Sequence, residues 1–295
     1  MDILAALNAK RVLVSDGAWG TFLQSKGLQP GECPELWNET HREAVLDIAR
    51  SYIKAGADVI ETNSFGGNAV KLAHYGFSDR ASELSEKAAE ISRQAAGMEH
   101  GVLGSIGPSG KILLMGDVTE EELYEAFRVQ AQALERGGAD AVICETFAAI
   151  DEATIAVKAA KENTRLPVIC TFTFNKISQN EYRTMMGVSP AEAAAAALEA
   201  GADMIGTNCG NGMAQMVDIV RQMRAAAPQV PIVVHANAGA PILIDDQTVF
   251  PETPSMMADL VPALIEAGAD IIGGCCGTTP EHIRAIAAAV RRYTA

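Results

Sequence analysis

Residues 200–210 read AGADMIGTNCG, and the phrase that opens this stretch recurs along the chain. It stands as AGAD at 55–58, GGAD at 137–140, AGAD at 200–203 and AGAD at 267–270. Each copy follows a helical pattern, such as AAAAALEA before Gly201. Each precedes a short apolar run: VIETNSF, AVICETF, MIGTNCG and IIGGCCG. A helix stopped at glycine, a tight turn and a buried strand account for the phrase. Four more apolar runs lack it: RVLVSDGAWG, GVLGSIGP, PVICTFTF and PIVVHANAG. The eight candidate strands begin near residues 11, 58, 101, 140, 167, 203, 231 and 270. Helical patterns fill most of the gaps between them. Strands that alternate with helices pair in parallel through crossover connections.

The 295 residues, 48% hydrophobic, suffice for a full core. Eight strand–helix units in a chain of this length predict an α/β fold, a (β/α)8 TIM barrel, as one domain over 1–295. A doubly wound open sheet is the rival. The count of eight and the lack of a composition break favour the barrel. Under this reading Asp58, Asp140, Asp203 and Asp270 start strands on the bottom face, where they cap turns and carry no chemistry. The strand ends, rich in polar groups, glycine and cysteine, gather on the top face, where barrel enzymes act.

The formal net charge is −14. Such a surface argues against nucleic acid and against an anionic membrane as partners. No apolar run reaches the ~18 residues of a membrane helix, and no basic region precedes the first apolar residues as in a secretory signal. Six cysteines are too few for a disulfide framework in a chain this long. A reducing cytoplasm, with metal-binding or catalytic thiols, is the expected setting.

Cys209 ends the sixth strand, and Cys275 and Cys276 end the eighth. In a straight strand adjacent side chains point to opposite faces. Gly273, Gly274 and Gly277 allow the chain to turn so that both sulfurs face one point. Three thiolates with no fourth protein ligand in evidence predict a catalytic zinc site, tetrahedral with one open position. Such an ion suits activation of a thiol, which points to alkyl transfer onto a substrate sulfur. Cys144 and Cys170 read as small buried apolar residues, and Cys33 as a loop residue. His235, inside a strand end, reads as a packed core residue rather than a fourth ligand.

GGCCGTTPEHI at 273–283, with TNCG upstream, DGAWGT near the start and HANAG between, resembles the zinc-dependent homocysteine S-methyltransferases. The likeness runs from about residue 10 to 292. GECPELWN at 31–38 looks most like the homocysteine module of cobalamin-dependent methionine synthases. The resemblance implies a barrel, zinc on Cys209, Cys275 and Cys276, and homocysteine, or another small thiol, as methyl acceptor to give methionine. It places the substrate carboxylate on the backbone of Gly17, Ala18, Trp19 and Gly20. It places the ammonium on Asp16 and Glu145, with Asn63 and Asn237 at further polar positions. It implies methylcobalamin as donor; with no corrinoid module in these residues, the donor is expected on a separate corrinoid protein. A small onium donor, S-methylmethionine or a betaine, is the alternative; Trp19, Phe65 and Phe147 are then expected at the mouth. A non-catalytic zinc-binding partner of a corrinoid protein is a third reading. The long segment 175–189, with Met185 and Met186, reads as a lid, a donor-protein contact or a plain surface loop.

Overall fold

The computed structural model describes residues 1–10, 12–244 and 247–294. Each copy of the repeated phrase first ends a helix. Gly56, Gly138, Gly201 and Gly268 take φ of 106°, 98°, 103° and 109°, left-handed values that only glycine adopts freely. The alanine that follows returns its N–H to the helix, as from Ala57 to Tyr52 O (3.2 Å) and from Ala202 to Ala197 O (3.0 Å). This satisfies carbonyls the helix end would leave orphaned.

The aspartate then joins two strands. The Asp58 N–H donates to Val14 O at 2.7 Å, and Asp58 Oδ2 accepts the Val14 N–H at 3.0 Å. The same reciprocal pair links Asp140 to Val102, Asp203 to Val168 and Asp270 to Ile232. These aspartates do sit at strand starts on the bottom face. They bridge neighbouring strands, however, and do not cap turns.

The barrel strands are β1 (Leu13–Val14), β2 (Val59–Glu61), β3 (Gly101–Ile106), β4 (Ala141–Phe147), β5 (Val168–Phe172), β6 (Met204–Asn208), β7 (Ile232–Ala236) and β8 (Ile271–Gly274). Their starts fall within a few residues of those read from the sequence; Arg11, where the first was expected, lies outside the described residues. All ladders are parallel, and the order around the sheet is β1-β8-β7-β6-β5-β4-β3-β2. The Asp58–Val14 pair and the bond from Glu61 N to Asp16 Oδ2 (2.8 Å) tie β1 to β2 and close the ring. The fold is thus the expected (β/α)8 TIM barrel.

The outer layer comprises α1 (Arg42–Ala55), α2 (Ala81–Ala96), α3 (Glu120–Arg136), α4 (Ile150–Asn163), α5 (Pro190–Glu199), α6 (Met213–Ala226), α7 (Val261–Ala267) and α8 (Pro280–Thr294). Each buries a stripe at helical spacing, such as Leu84, Ala88 and Ile91 on α2. Thr119 with Glu122, and Ser189 with Glu192, form capping boxes that start α3 and α5.

The barrel interior changes character at one level. Leu13, Val59, Leu103, Ile143, Ile169, Met204, Val233 and Ile271 form an apolar layer near the bottom. Ile3 and Leu7 of the helix Ile3–Lys10 plug it from below. Two residues further up each strand, on the same face by strand alternation, stand Ser15, Glu61, Ser105, Glu145, Thr171, Gly206, His235 and Gly273, all buried. The apolar floor is thus followed by a polar chamber.

The segment expected as a long loop contains an antiparallel hairpin, Asn175–Ser178 with Glu181–Arg183. Tyr182 is buried and its hydroxyl donates to Asp218 of α6 (3.2 Å), which anchors the hairpin. Met185 and Met186, just beyond it, are exposed.

Candidate metal centre and substrate cavity

Cys209 leaves β6 in the left-handed conformation, φ 59°. A non-glycine residue enters that region at a cost. Two backbone bonds hold it there: Cys209 N to His235 O (3.0 Å) and Asn211 N to Cys209 O (2.8 Å). Past β8, Cys275 N donates to Ala236 O (2.7 Å) and Thr278 N to Cys275 O (3.1 Å), which makes a turn through Gly277, φ 80°. The turn brings both neighbouring sulfurs to one side. The Sγ atoms of Cys209, Cys275 and Cys276 all lie within 4.8 Å of one another.

All three are free thiols. Cys209 Sγ and Cys276 Sγ are 3.9 Å apart, far beyond a disulfide bond. Two sulfurs on a tetrahedral zinc ion at ~2.3 Å sit about 3.8 Å apart, so the spacing fits a shared ion. Hydrogen bonds from Cys275 and Cys276 pull the Cys209 thiol far down. Hydrogen bonds to the Cys209 sulfur push Cys275 and Cys276 up. Without a metal the trio thus shares one thiolate, centred on Cys209, with two thiols beside it.

The sulfurs open onto a cavity of about 270 Å³ at the C-terminal mouth. Its wall includes Glu35, Glu61, Glu145 and His235 and, among the described residues, holds no lysine or arginine. Burial pushes Glu61 up to about 8. Burial, then the Glu61 charge, raises Asp16 to about 7 and raises Glu145 well above the carboxylate range. His235 is pushed down by burial. Three of the four buried side-chain atoms without a hydrogen-bond partner among the described residues cluster here: Glu61 Oε1, His235 Nε2 and Asn237 Oδ1.

The residues expected to contact substrate divide between wall and support. Gly17, Ala18, Trp19, Asn63 and Glu145 line the cavity. The Ala18 amide, however, is given to Thr278 Oγ1 (3.0 Å). Asp16 stands outside the wall. Its Oδ2 accepts from Trp19 Nε1 (2.9 Å) and from the Glu61 N–H (2.8 Å), so it fixes the first loop against β2. Asn63 Nδ2 donates to Pro34 O (2.8 Å) and Asn38 Oδ1 (3.0 Å), and so latches the GECPELWN segment over the mouth. Glu35 Oε1 adds a second latch on Gly66 N (2.7 Å). Asn237 stands beside Cys209 and helps lower its thiol. Phe65 lines the cavity, but Phe147 is fully buried against Phe127, ring centroids 6.1 Å apart. Phe147 is thus a core residue: its ring points outward from β4, towards α3. Cys144, Cys170 and Cys33 are buried apart from the trio, as expected.

Sequence reading passed over Glu61, although ET follows the apolar run in both VIETNSF and AVICETF. That echo of Glu145 was the available signal. Ser105, whose hydroxyl donates to Glu145, and Asn208, whose Nδ2 donates to Glu145 Oε2 (3.2 Å), carried none.

Known proteins share this plan. The chain is 36% identical to the methionine synthase of Mycobacterium leprae (strain TN) over 99% of its own length. It is 36% identical to that of Mycobacterium tuberculosis (strain ATCC 25618 / H37Rv) over 98%. It spans about 25% of the length of each. The crystal structure of the homocysteine methyltransferase MmuM from Escherichia coli, in its metallated form, superposes with a TM-score of 0.78 at 24% identity. That match covers 98% of this chain and 99% of that one, and it shows the common fold. The family model described as homocysteine S-methyltransferase matches residues 13–290. With that match over nearly all of its length, the chain belongs to the homocysteine S-methyltransferase family.

Proposed function

We propose that this barrel methylates the thiol of homocysteine to give methionine, with zinc held by Cys209, Cys275 and Cys276. The observation that supports it best is the meeting of three free thiols with a cavity whose wall carries three glutamates and, among the described residues, no fixed cation. An amino-acid thiol has an end for each. Zinc held by the three sulfurs would acidify a bound thiol, so that the nucleophile would be deprotonated at neutral pH. The chain's own residues orient the acceptor. Glu145 draws the ammonium, and the backbone of Gly17, Trp19 and Gly20 faces the carboxylate. The Asp16 and Asn63 bonds hold those walls in place. The substrate sulfur attacks the donor methyl in line; the methyl–donor bond breaks and its electron pair stays with the donor. A cytoplasmic setting belongs to the same reading.

Methylcobalamin carried by a corrinoid protein is the donor this reading prefers. Among the described residues, the large exposed apolar side chains other than Met98 and Tyr293 stand on segments that follow barrel strands. Leu114, Met115, Met185 and Leu243 are the most exposed of these. An apolar rim around the mouth suits a partner that presses a cofactor face onto it. The small onium donor keeps one supporting observation, Trp19 and Phe65 in a wall with three glutamates. The experiment is a donor panel: zinc-loaded protein, homocysteine, and methylcobalamin, S-methylmethionine or betaine, with methionine read by mass. Methionine with any donor supports thiol methylation, and the productive donor decides between the two. No methionine from any of them favours the non-catalytic zinc-binding reading.

A further inference from the structure

The carboxylates near the cavity differ in what they have left to offer. Asp16 lies outside the wall and accepts from Trp19 Nε1 and Glu61 N. Glu35 accepts from Gly66 N and from the Cys33 thiol. Glu145 accepts from Ser105 Oγ on one oxygen and Asn208 Nδ2 on the other. Glu61 is the exception: its Oε1 is buried and has no hydrogen-bond donor among the described residues. His235 Nδ1 stands 3.2 Å from it, a contact without hydrogen-bond alignment. His235 is 2% exposed, lines the same cavity, and leaves Nε2 without a partner. Two unpartnered acceptor positions, on β2 and β7, thus border one cavity with no lysine or arginine among the described residues of its wall. Buried polar atoms left this way are costly unless a ligand completes them.

We infer that Glu61 and His235 together seat the amino group of the substrate, Glu61 supplying the charge that selects an α-amino thiol over a plain thiol. An ammonium brings three N–H donors. Glu61 Oε1 and, in a neutral imidazole protonated at Nδ1, His235 Nε2 are acceptors with unused capacity; Glu145 adds a charged neighbour. The inference rests on the reading that the cavity takes homocysteine, and it names a specificity residue within that site. Asp16 then acts through Glu61, by holding its backbone, and Trp19.

The test compares two thiols that differ only in the amine, L-homocysteine and 4-sulfanylbutanoate. Binding to zinc-loaded wild-type protein, Glu61→Gln and Glu61→Leu is measured by calorimetry, with zinc content and circular dichroism recorded for each. The wild type is expected to prefer homocysteine by roughly tenfold or more, as for a hydrogen bond to a charged group. Glu61→Gln is expected to bind homocysteine at least tenfold more weakly and the des-amino thiol equally well, so that the preference collapses. Glu61→Leu removes a buried acid without a fixed counter-charge, and keeps the test open should the glutamine variant fold poorly. Retention of the amine preference in a folded variant overturns the inference, and so does an equal loss of both ligands. A wild-type protein that binds neither thiol overturns the homocysteine reading itself, and this one with it.

Discussion

The acid cluster makes a prediction about the protein without metal or substrate. Burial holds Glu61 at about 8 against a usual 4.5. Asp16 is held at about 7 against 3.8, by burial and then by Glu61. Both folded-state values are raised, so the folded protein keeps protons that the unfolded chain has released. Stability is then greatest below the unfolded values and is lost as pH rises through the folded ones. From pH 5.5 to 7.5, Glu61 alone should remove on the order of 2 kcal/mol, against a limiting slope of ~1.4 kcal/mol per pH unit for one proton. Asp16 should remove about 2 kcal/mol more across the same interval, by the same linkage. In Glu61→Gln the first contribution vanishes, and the second shrinks because the Glu61 charge no longer acts on Asp16. The assay is urea unfolding of metal-free, reduced protein at pH 5.5, 6.5 and 7.5, followed by circular dichroism, with m checked for constancy. The wild type should lose at least about 2 kcal/mol more than the variant over the interval. Parallel slopes for the two proteins would refute the reasoning. Saturating homocysteine should flatten the wild-type slope, since its ammonium supplies the missing counter-charge.

Zinc should bind at about one ion per chain and be lost in each of Cys209→Ala, Cys275→Ala and Cys276→Ala, by metal analysis; full retention in all three would remove the site. Gly206→Ala would put a Cβ 2.1 Å from Val233 O, so thermal unfolding should show a loss of about 1–3 kcal/mol. Glu145→Gln should raise the homocysteine KM about tenfold with zinc retained; an unchanged KM would free Glu145 of its role. Met185→Glu with Leu114→Glu, both on the exposed rim, should slow methyl transfer from a corrinoid protein more than from free methylcobalamin. Equal slowing would remove the rim from donor docking.

The barrel was legible because its repeated phrase encodes its own assembly. Glycine ends the helix, alanine closes the cap and aspartate reaches back to the preceding strand, all within four residues. Such local chemistry leaves a local trace. The cysteine pair was legible for a similar reason, since its glycines sit beside it. The helix Ile3–Lys10 left little trace, because only Ile3 and Leu7 among its described side chains are buried and they serve the barrel floor from a distance. The hairpin at 175–183 was missed because its first strand is exposed throughout and shows no alternation. Glu61 and His235 are far apart in the chain, and only barrel closure brings them to one cavity. No spacing rule could pair them. The motif suggests Asp16 as a substrate contact; in the structure its Oδ2 accepts from both Trp19 Nε1 and Glu61 N, and the bond to distant Glu61 is one that no motif spells out.

The copies of the phrase also divide the chamber. They head β2, β4, β6 and β8, and all four strands run parallel from the same bottom face. After the first two aspartates the chain delivers Glu61 and Glu145. After the last two it delivers Cys209 and then Cys275 with Cys276. Sheet order keeps β2 and β4 on one arc and β6 and β8 on the other. One arc therefore presents carboxylates, the other thiols, across a cavity of about 270 Å³. A ligand that satisfies both must be short, with a cationic group at one end and a sulfur at the other. A plain alkyl thiol would leave the acidic arc without a counter-charge, and an amino acid without sulfur would leave the thiol arc unused. The proposed acceptor meets both demands, and the comparison of homocysteine with its des-amino analogue tests the acidic arc apart from the metal.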